Sequence, residues 1–229
     1  MTKEEKYQTL IQKRKNFSFS GIGLKNYSDF TAEDNYVDAY EQWHSHLDAD
    51  IMLIAQDFAD WETFEKDNGK IEPIENHYKY PTNKNLTDLF KILNIDIGHP
   101  LTPNKTAKLF FTNAVVGLKG NGMQGKIENR WIETGTNEFL SPLIDLVQPK
   151  IIIALGRIPF DAICSIYPNQ VNPATSKSKS LKKIIENSPY IIPNGTRLFP
   201  VYHCGGQSAR NRKIEEQKTD WQKINSALN

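Results

Sequence analysis

Three stretches of apolar chain give way to side chains that can do chemistry. IMLIA (51–55) stops at Gln56-Asp57, LFFTNAVV (109–116) carries Thr112-Asn113 inside it, and RLFPVY (197–202) ends on His203. An acid, an amide and an imidazole suffice for a hydrolysis that uses no metal. The carboxylate places a water, the amide recognises the leaving group through its paired donor and acceptor, and the imidazole N–H meets the charge that develops there. No cofactor is expected. The two cysteines, Cys164 and Cys204, each lack a CxxC-type companion, which argues against both a zinc site and a disulfide framework and fits a reducing cytosol.

For these residues to act together, the elements that carry them must bring them to one edge. The runs 51–55, 109–116, 151–155 (IIIAL) and, more weakly, 197–203 are of strand length, and their apolarity is continuous rather than alternating, as in parallel strands buried on both faces. Between them lie NLTDLFKILNI (85–95), TNEFLSPLIDLV (136–147) and PFDAICSIY (159–167), long enough for crossover helices. The pattern is α/β, and in open parallel sheets ligands bind beyond the carboxyl ends of the strands. Residues 3–14 and 33–48, the latter with Tyr36, Tyr40, Trp43 and Leu47 at helical spacing, are expected as two surface helices packing on the sheet. The turn-rich SFSGIGLKNYSDF separates them. NPATSKSKSLKK (172–183) reads as a basic loop or helix entrance.

At 229 residues, 38% hydrophobic and 24% charged, the composition suits one globular domain over 1–229, with 1–48 as its N-terminal helices. Lys+Arg 28 against Asp+Glu 27 leaves a formal charge of +1, so any surface for a polyanion must be local. MTKEEKYQTL has no apolar leader, and no run approaches the roughly 20 apolar residues of a membrane span. A cytoplasmic monomer without membrane contact is expected.

Taken in order, these segments resemble the uracil-DNA glycosylase superfamily. IMLIAQDFAD is similar to its first motif, a strand followed by a small residue, Gln, Asp, Pro and Tyr; Ala55-Gln56-Asp57 keeps the middle of it. LFFTNAVVGLKG resembles the strand whose asparagine reads the flipped base. PKIIIALGRIPFDAI resembles the next strand-turn-helix, and LFPVYHCGGQSARNR the final strand with its histidine loop. The resemblance covers roughly residues 50–215. It implies a three-layer α/β/α fold, uracil-DNA glycosylase-like, around a mostly parallel sheet of about four strands. It also implies a metal-independent hydrolase that flips uracil or a related deaminated base out of DNA and cuts its N-glycosidic bond. Asp57 and His203 would be catalytic. Gln56, Phe58, Ala59 and Asn113 would bind the base, and Tyr80, with Tyr78 and Phe58 as rivals, would stack on it. Lys119, Lys126, Gln207 and Arg210 would meet DNA.

Two departures alter what the resemblance implies. Phe58-Ala59 replaces the family's Pro-Tyr, opening space beside the base's C5, and Cys204-Gly205-Gly206 replaces the Pro-Ser after the histidine. A base- or DNA-binding module with diminished catalysis is therefore an alternative. A second alternative is a P-loop-like nucleotidase, because GNGMQGK (120–126) nearly satisfies GxxxxGK, although Ile127 stands where Ser or Thr would hold Mg²⁺. Each residue also has an ordinary reading. Asp57 suits a helix N-cap, Asn113 a satisfied buried amide, His203 a structural histidine, Tyr80 a packing aromatic. Cys164 suits the core, while Cys204, beside the histidine, is expected to be partly exposed.

Overall fold

The structure, a computed structural model, describes residues 1–30, 43–58, 60–66, 74–122, 125–169, 171, 180–206 and 208–228. All four expected strands form. They are β1 (Ile51–Asp57), β4 (Leu109–Val115), β5 (Ile151–Leu155) and β7 (Arg197–Val201), with a short hairpin of β2 (Gly98–His99) and β3 (Thr102–Pro103) between the first two. A fifth sheet strand, β6 (Tyr190–Ile191), pairs antiparallel on the edge, giving the order β4-β1-β5-β7-β6 with every other pairing parallel.

The helices are α1 (Lys3–Lys15), α2 (Trp61–Lys66), α3 (Pro81–Ile92), α4 (Asn129–Gly135), α5 (Ser141–Val147), α6 (Arg157–Ile166), α7 (Leu181–Glu186), α8 (Ser208–Asn211) and α9 (Ile214–Leu228). A π-helical stretch, Thr136–Leu140, joins α4 to α5. Register explains the continuous apolarity of the strands, since each must feed two cores. Ile51 and Leu53 share a face with Leu109, Phe111, Ile151 and Ile153, against which α3 and α9 lay Leu86, Leu89, Phe90, Trp221 and Ile224. Met52 and Ile54 point the other way, with Phe110, Ile152 and Ala154, into a core filled by Tyr7, Ile11, Trp131, Phe139, Leu143 and Phe160. Helices thus cover both faces of the sheet, as a three-layer α/β/α arrangement requires. Phe90, between Phe111 and Trp221 (ring centroids 5.4 and 5.0 Å), is fully buried, so truncating it to alanine would cost about 3 to 5 kcal/mol.

Local sequence sets the helix ends. The Thr2 hydroxyl accepts from the Glu5 N–H at 3.1 Å while the Glu5 carboxylate accepts from the Thr2 N–H at 2.7 Å, a reciprocal cap that starts α1. Pro81 starts α3 four residues before the expected boundary, its fixed φ suiting the first helical turn. At Gly135 a Cβ would lie 2.1 Å from the Ala114 carbonyl oxygen, so only glycine lets α4 ride this close to β4. The expected helix over 33–48 is not borne out over 43–48, where irregular chain lies along the β4 edge and Ser45 bridges Phe110; the rest of it lies outside the described residues. The apolar spacing there serves edge contacts instead. The Trp43 indole and the His44 imidazole both bond the Ile97 carbonyl, at 3.0 and 2.8 Å. No helix among the described residues is long and apolar enough to cross a membrane.

Candidate active site

The chain runs from β1 outward to β4, then returns across β1 to β5, so the connections diverge at the carboxyl ends of β1 and β5. Such a reversal opens a crevice above the sheet. Asn113 pairs directly with Ala55, and Asp57 lies two residues further along β1, on the same side of the pleat. His203 stands two residues beyond Val201, the last residue of β7. Burial pushes the His203 imidazole below its ordinary range, and the charge of the Asp57 carboxylate opposes that shift. Asp57 and His203 thus stand at the carboxyl edge of the sheet that also carries Asn113.

Each has a defined state. Asp57 Oδ2 receives the Lys119 ammonium at 2.6 Å, and Oδ1 accepts from the Gln56 amide at 3.2 Å. The Lys119 side chain is 1% exposed and that of Asp57 15%, so the ion pair is nearly dry on one side and touches solvent on the other. Expected to meet phosphates, Lys119 instead points inward, because the loop after β4 is stitched to the chain after β1. The Trp61 N–H donates to the Lys119 carbonyl at 2.9 Å, and Leu118 exchanges hydrogen bonds with Lys25. A buried ammonium needs a carboxylate, and Asp57 supplies one.

On His203, Nδ1 accepts the Gly205 N–H at 3.0 Å, which leaves the proton of the neutral ring on Nε2. A Cβ at Gly205 would stand 2.9 Å from two ring atoms of His203 and 3.0 Å from Thr82 Oγ1, so a larger residue there would have to displace the ring. The same loop is fastened to the entrance of α3. The Asn85 amide donates to the Cys204 carbonyl at 2.8 Å, and the Cys204 thiol contacts the Thr82 carbonyl at 3.5 Å. Contrary to expectation, Cys204 is fully buried, and burial pushes its thiol up to about 12. It is a packing residue of the His203 loop.

Asn113 is 8% exposed, and its amide makes no side-chain hydrogen bond among the described residues. Phe58 turns away to pack edge-on against Tyr27, 4.9 Å between centroids, beside Leu118. Tyr80 is the N-cap residue of α3, with its ring at the surface rather than enclosed. Lys126 and Arg210 are exposed. Ala59 and Gln207 lie outside the described residues.

The phosphate-loop alternative meets two obstacles. Lys126 precedes α4 by three positions instead of opening it, and Gly120 packs on the Trp61 indole, where a Cβ would lie 2.2 Å from Nε1. The aspartate that would have held Mg²⁺ is committed to Lys119. Among the described residues no cluster of His, Cys, Asp and Glu is arranged to hold a metal ion. Sequence reasoning missed Lys119 as the counter-ion of Asp57 and Gly205 as the residue that sets the His203 tautomer. The Gly-Gly after the histidine was a visible sign of the second; nothing local marked the first. Compared with protein-family models and with curated proteins, the chain matches none.

Proposed function

We propose that this protein is a monofunctional DNA glycosylase of the uracil-DNA glycosylase superfamily, hydrolysing the N-glycosidic bond of uracil or a related deaminated base flipped out of DNA. The observation that carries the reading is the buried Asn113 amide, without a side-chain hydrogen bond among the described residues and in register beside β1, at the carboxyl edge of the sheet where β1 ends on Asp57 and β7 leads into His203. A carboxamide offers one donor and one acceptor side by side, the pattern that complements the edge of uracil and not that of cytosine. His203, neutral and protonated on Nε2, donates to the base oxygen on which negative charge accumulates as the bond breaks. Asp57 directs water at the sugar carbon. With Lys119 neutralising it, Asp57 acts by orienting that water more than by removing its proton. Exposed Lys126 and Arg210 are suited to backbone phosphates.

The alternative of a binding module with diminished catalysis draws on one specific observation, that both Asp57 oxygens are engaged by Lys119 and Gln56. One experiment separates the readings. Oligonucleotides carrying uracil, a thymine–guanine mispair or hypoxanthine are incubated with the protein and then treated with alkali to break abasic sites. The glycosylase reading expects alkali-labile breaks at uracil, and Asn113→Ala should lower the single-turnover rate by about 2 to 4 kcal/mol, roughly 30- to 900-fold. Binding without breaks on any substrate supports the module. A folded Asn113→Ala variant with the wild-type rate removes Asn113 from the site.

A further inference from the structure

A cavity of about 470 Å³ opens where α1 ends, walled by the chain between Lys15 and Phe30. Its back rests on the chain leaving β4, the strand that carries Asn113. A Cβ at Gly117 would lie 2.9 Å from the Leu24 side chain and 3.1 Å from Phe19, and Lys25 and Leu118 exchange backbone hydrogen bonds of 2.9 Å. The cavity therefore lies at the carboxyl end of the sheet, the end that holds the candidate site. Gly117 follows Asn113 by four residues, on the order of 13 Å of extended chain.

The lining suits an anion. Lys15 and Lys25 bring two ammonium groups against one carboxylate, Asp29, which already accepts from the Asn26 N–H at 2.9 Å. The Lys25 ammonium makes no ion pair among the described residues. It rests on ring faces, 3.6 Å from the Trp61 centroid and 5.1 Å from that of Phe30, a seat that holds the charge without neutralising it. α1 turns its negative, carbonyl end this way, but the buried Asn26 amide closes it off by donating to the carbonyls of Arg14, Lys15 and Phe17 at 2.8, 3.1 and 3.1 Å. Ser18 and Ser20 share one hydrogen bond of 3.1 Å, which leaves a hydroxyl proton to give. Ammonium and hydroxyl donors around a solvent-facing hollow fit a phosphate group. We propose that this cavity is a subsite for a backbone phosphate of DNA flanking the flipped nucleotide, with Lys25 as its principal ligand. A strand that lays its target base against Asn113 passes within reach of it, which favours a phosphodiester of the substrate over a free phosphate compound. The inference rests on the glycosylase reading for DNA as the ligand.

The test is binding, measured apart from excision. Fluorescence anisotropy of a labelled uracil-free oligonucleotide is followed over a series of salt concentrations for wild type, Lys25→Ala, Lys25→Arg and Lys6→Ala. Lys25 is exposed, so its replacement leaves the core intact. Lys6 is the control, because it stands near the start of α1, where Lys3 reaches the Val147 carbonyl at the far end of the sheet. Lys25→Ala should bind roughly three- to tenfold more weakly, and the slope of log K against the logarithm of salt concentration should become shallower by about 0.7 to 0.9, the loss of one phosphate contact. Lys25→Arg and Lys6→Ala should keep the wild-type slope. An unchanged slope in Lys25→Ala, an equal change in Lys6→Ala, or no binding of DNA by the wild type would each overturn the subsite. Thymidine monophosphate titrated into the protein by calorimetry tests the other source of a phosphate. Binding of it that disappears in Lys25→Ala, with the DNA slope unchanged, assigns the cavity to a free phosphate compound and overturns the proposal. A slope that depends on Lys25 with no excision of any base would uphold the subsite and refute the glycosylase reading alone; excision of uracil with an unchanged slope would do the reverse.

Discussion

Replacing Asp57 by asparagine removes the carboxylate that lies 2.6 Å from the ammonium of Lys119, whose side chain is 1% exposed. Breaking a buried ion pair from one side costs about 3 to 5 kcal/mol, because the remaining charge has no water to return to. Asp57→Asn should fall in that range. Lys119→Met should cost less, about 2 to 3 kcal/mol by the same reasoning, since Asp57 keeps its solvent contact and the Gln56 hydrogen bond. The double variant removes both charges of the pair, so it should lose only about 1 to 2 kcal/mol and be more stable than either single variant. Urea denaturation followed by circular dichroism measures all four corners of the cycle. Losses that add to within about 0.5 kcal/mol would refute the pairing. The cycle also serves the mechanism, because the double variant lacks the carboxylate without the instability. If Asp57 orients the water, single-turnover excision should be equally low in Asp57→Asn and in the double variant, with DNA affinity little changed. Recovery of excision in the double variant would assign the first loss to instability.

Gly205→Ala should push the His203 ring from its place and lower excision by roughly 10- to 100-fold with little loss of global stability, since the obstruction is confined to the His203 loop; a rate within twofold of wild type would show that the ring is held otherwise. Burial holds both His203 and His44 below the ordinary imidazole value of about 6.5 in the folded state, so the unfolded chain binds more protons as pH falls through that value. The stability these two groups contribute is complete above pH about 6.5 and is lost as pH drops through their folded-state values; a urea midpoint that stays level or rises between pH 7 and 5 would contradict this. Excision should survive EDTA and need no nucleotide, whereas a requirement for Mg²⁺ would point back to phosphate chemistry.

The sheet was legible because burial on both faces leaves a continuous apolar run, and all four such runs are strands. β6, two residues long, is too short to carry a pattern. The helix over 214–228 did carry one, with Glu215 and Glu216 in its first turn and Trp221 and Ile224 buried, but it follows the last motif and drew no reading. In the candidate site, chain order and the parallel sheet sufficed to bring Asp57, Asn113 and His203 to one edge. Partners could not be read, because a lysine in a glycine-rich loop looks solvated until the fold lays it on a carboxylate far away in sequence. Local spacing misled for the same reason at 43–48, where apolar residues serve a sheet edge rather than a helix.

The thiol of Cys204 makes the joint between the His203 loop and α3 measurable. With the sulfur buried against the Thr82 carbonyl and its proton held so firmly, an alkylating reagent can reach it only while the loop is lifted from the helix. Its labelling rate therefore counts openings of the site. Cys164, buried in the core on the opposite face of the sheet, waits for a wider unfolding and supplies an internal reference in the same tube. The ratio of the two rates separates breathing of the site from unfolding of the sheet, and any ligand that closes over His203 should slow the first clock while leaving their common dependence on urea at high concentration.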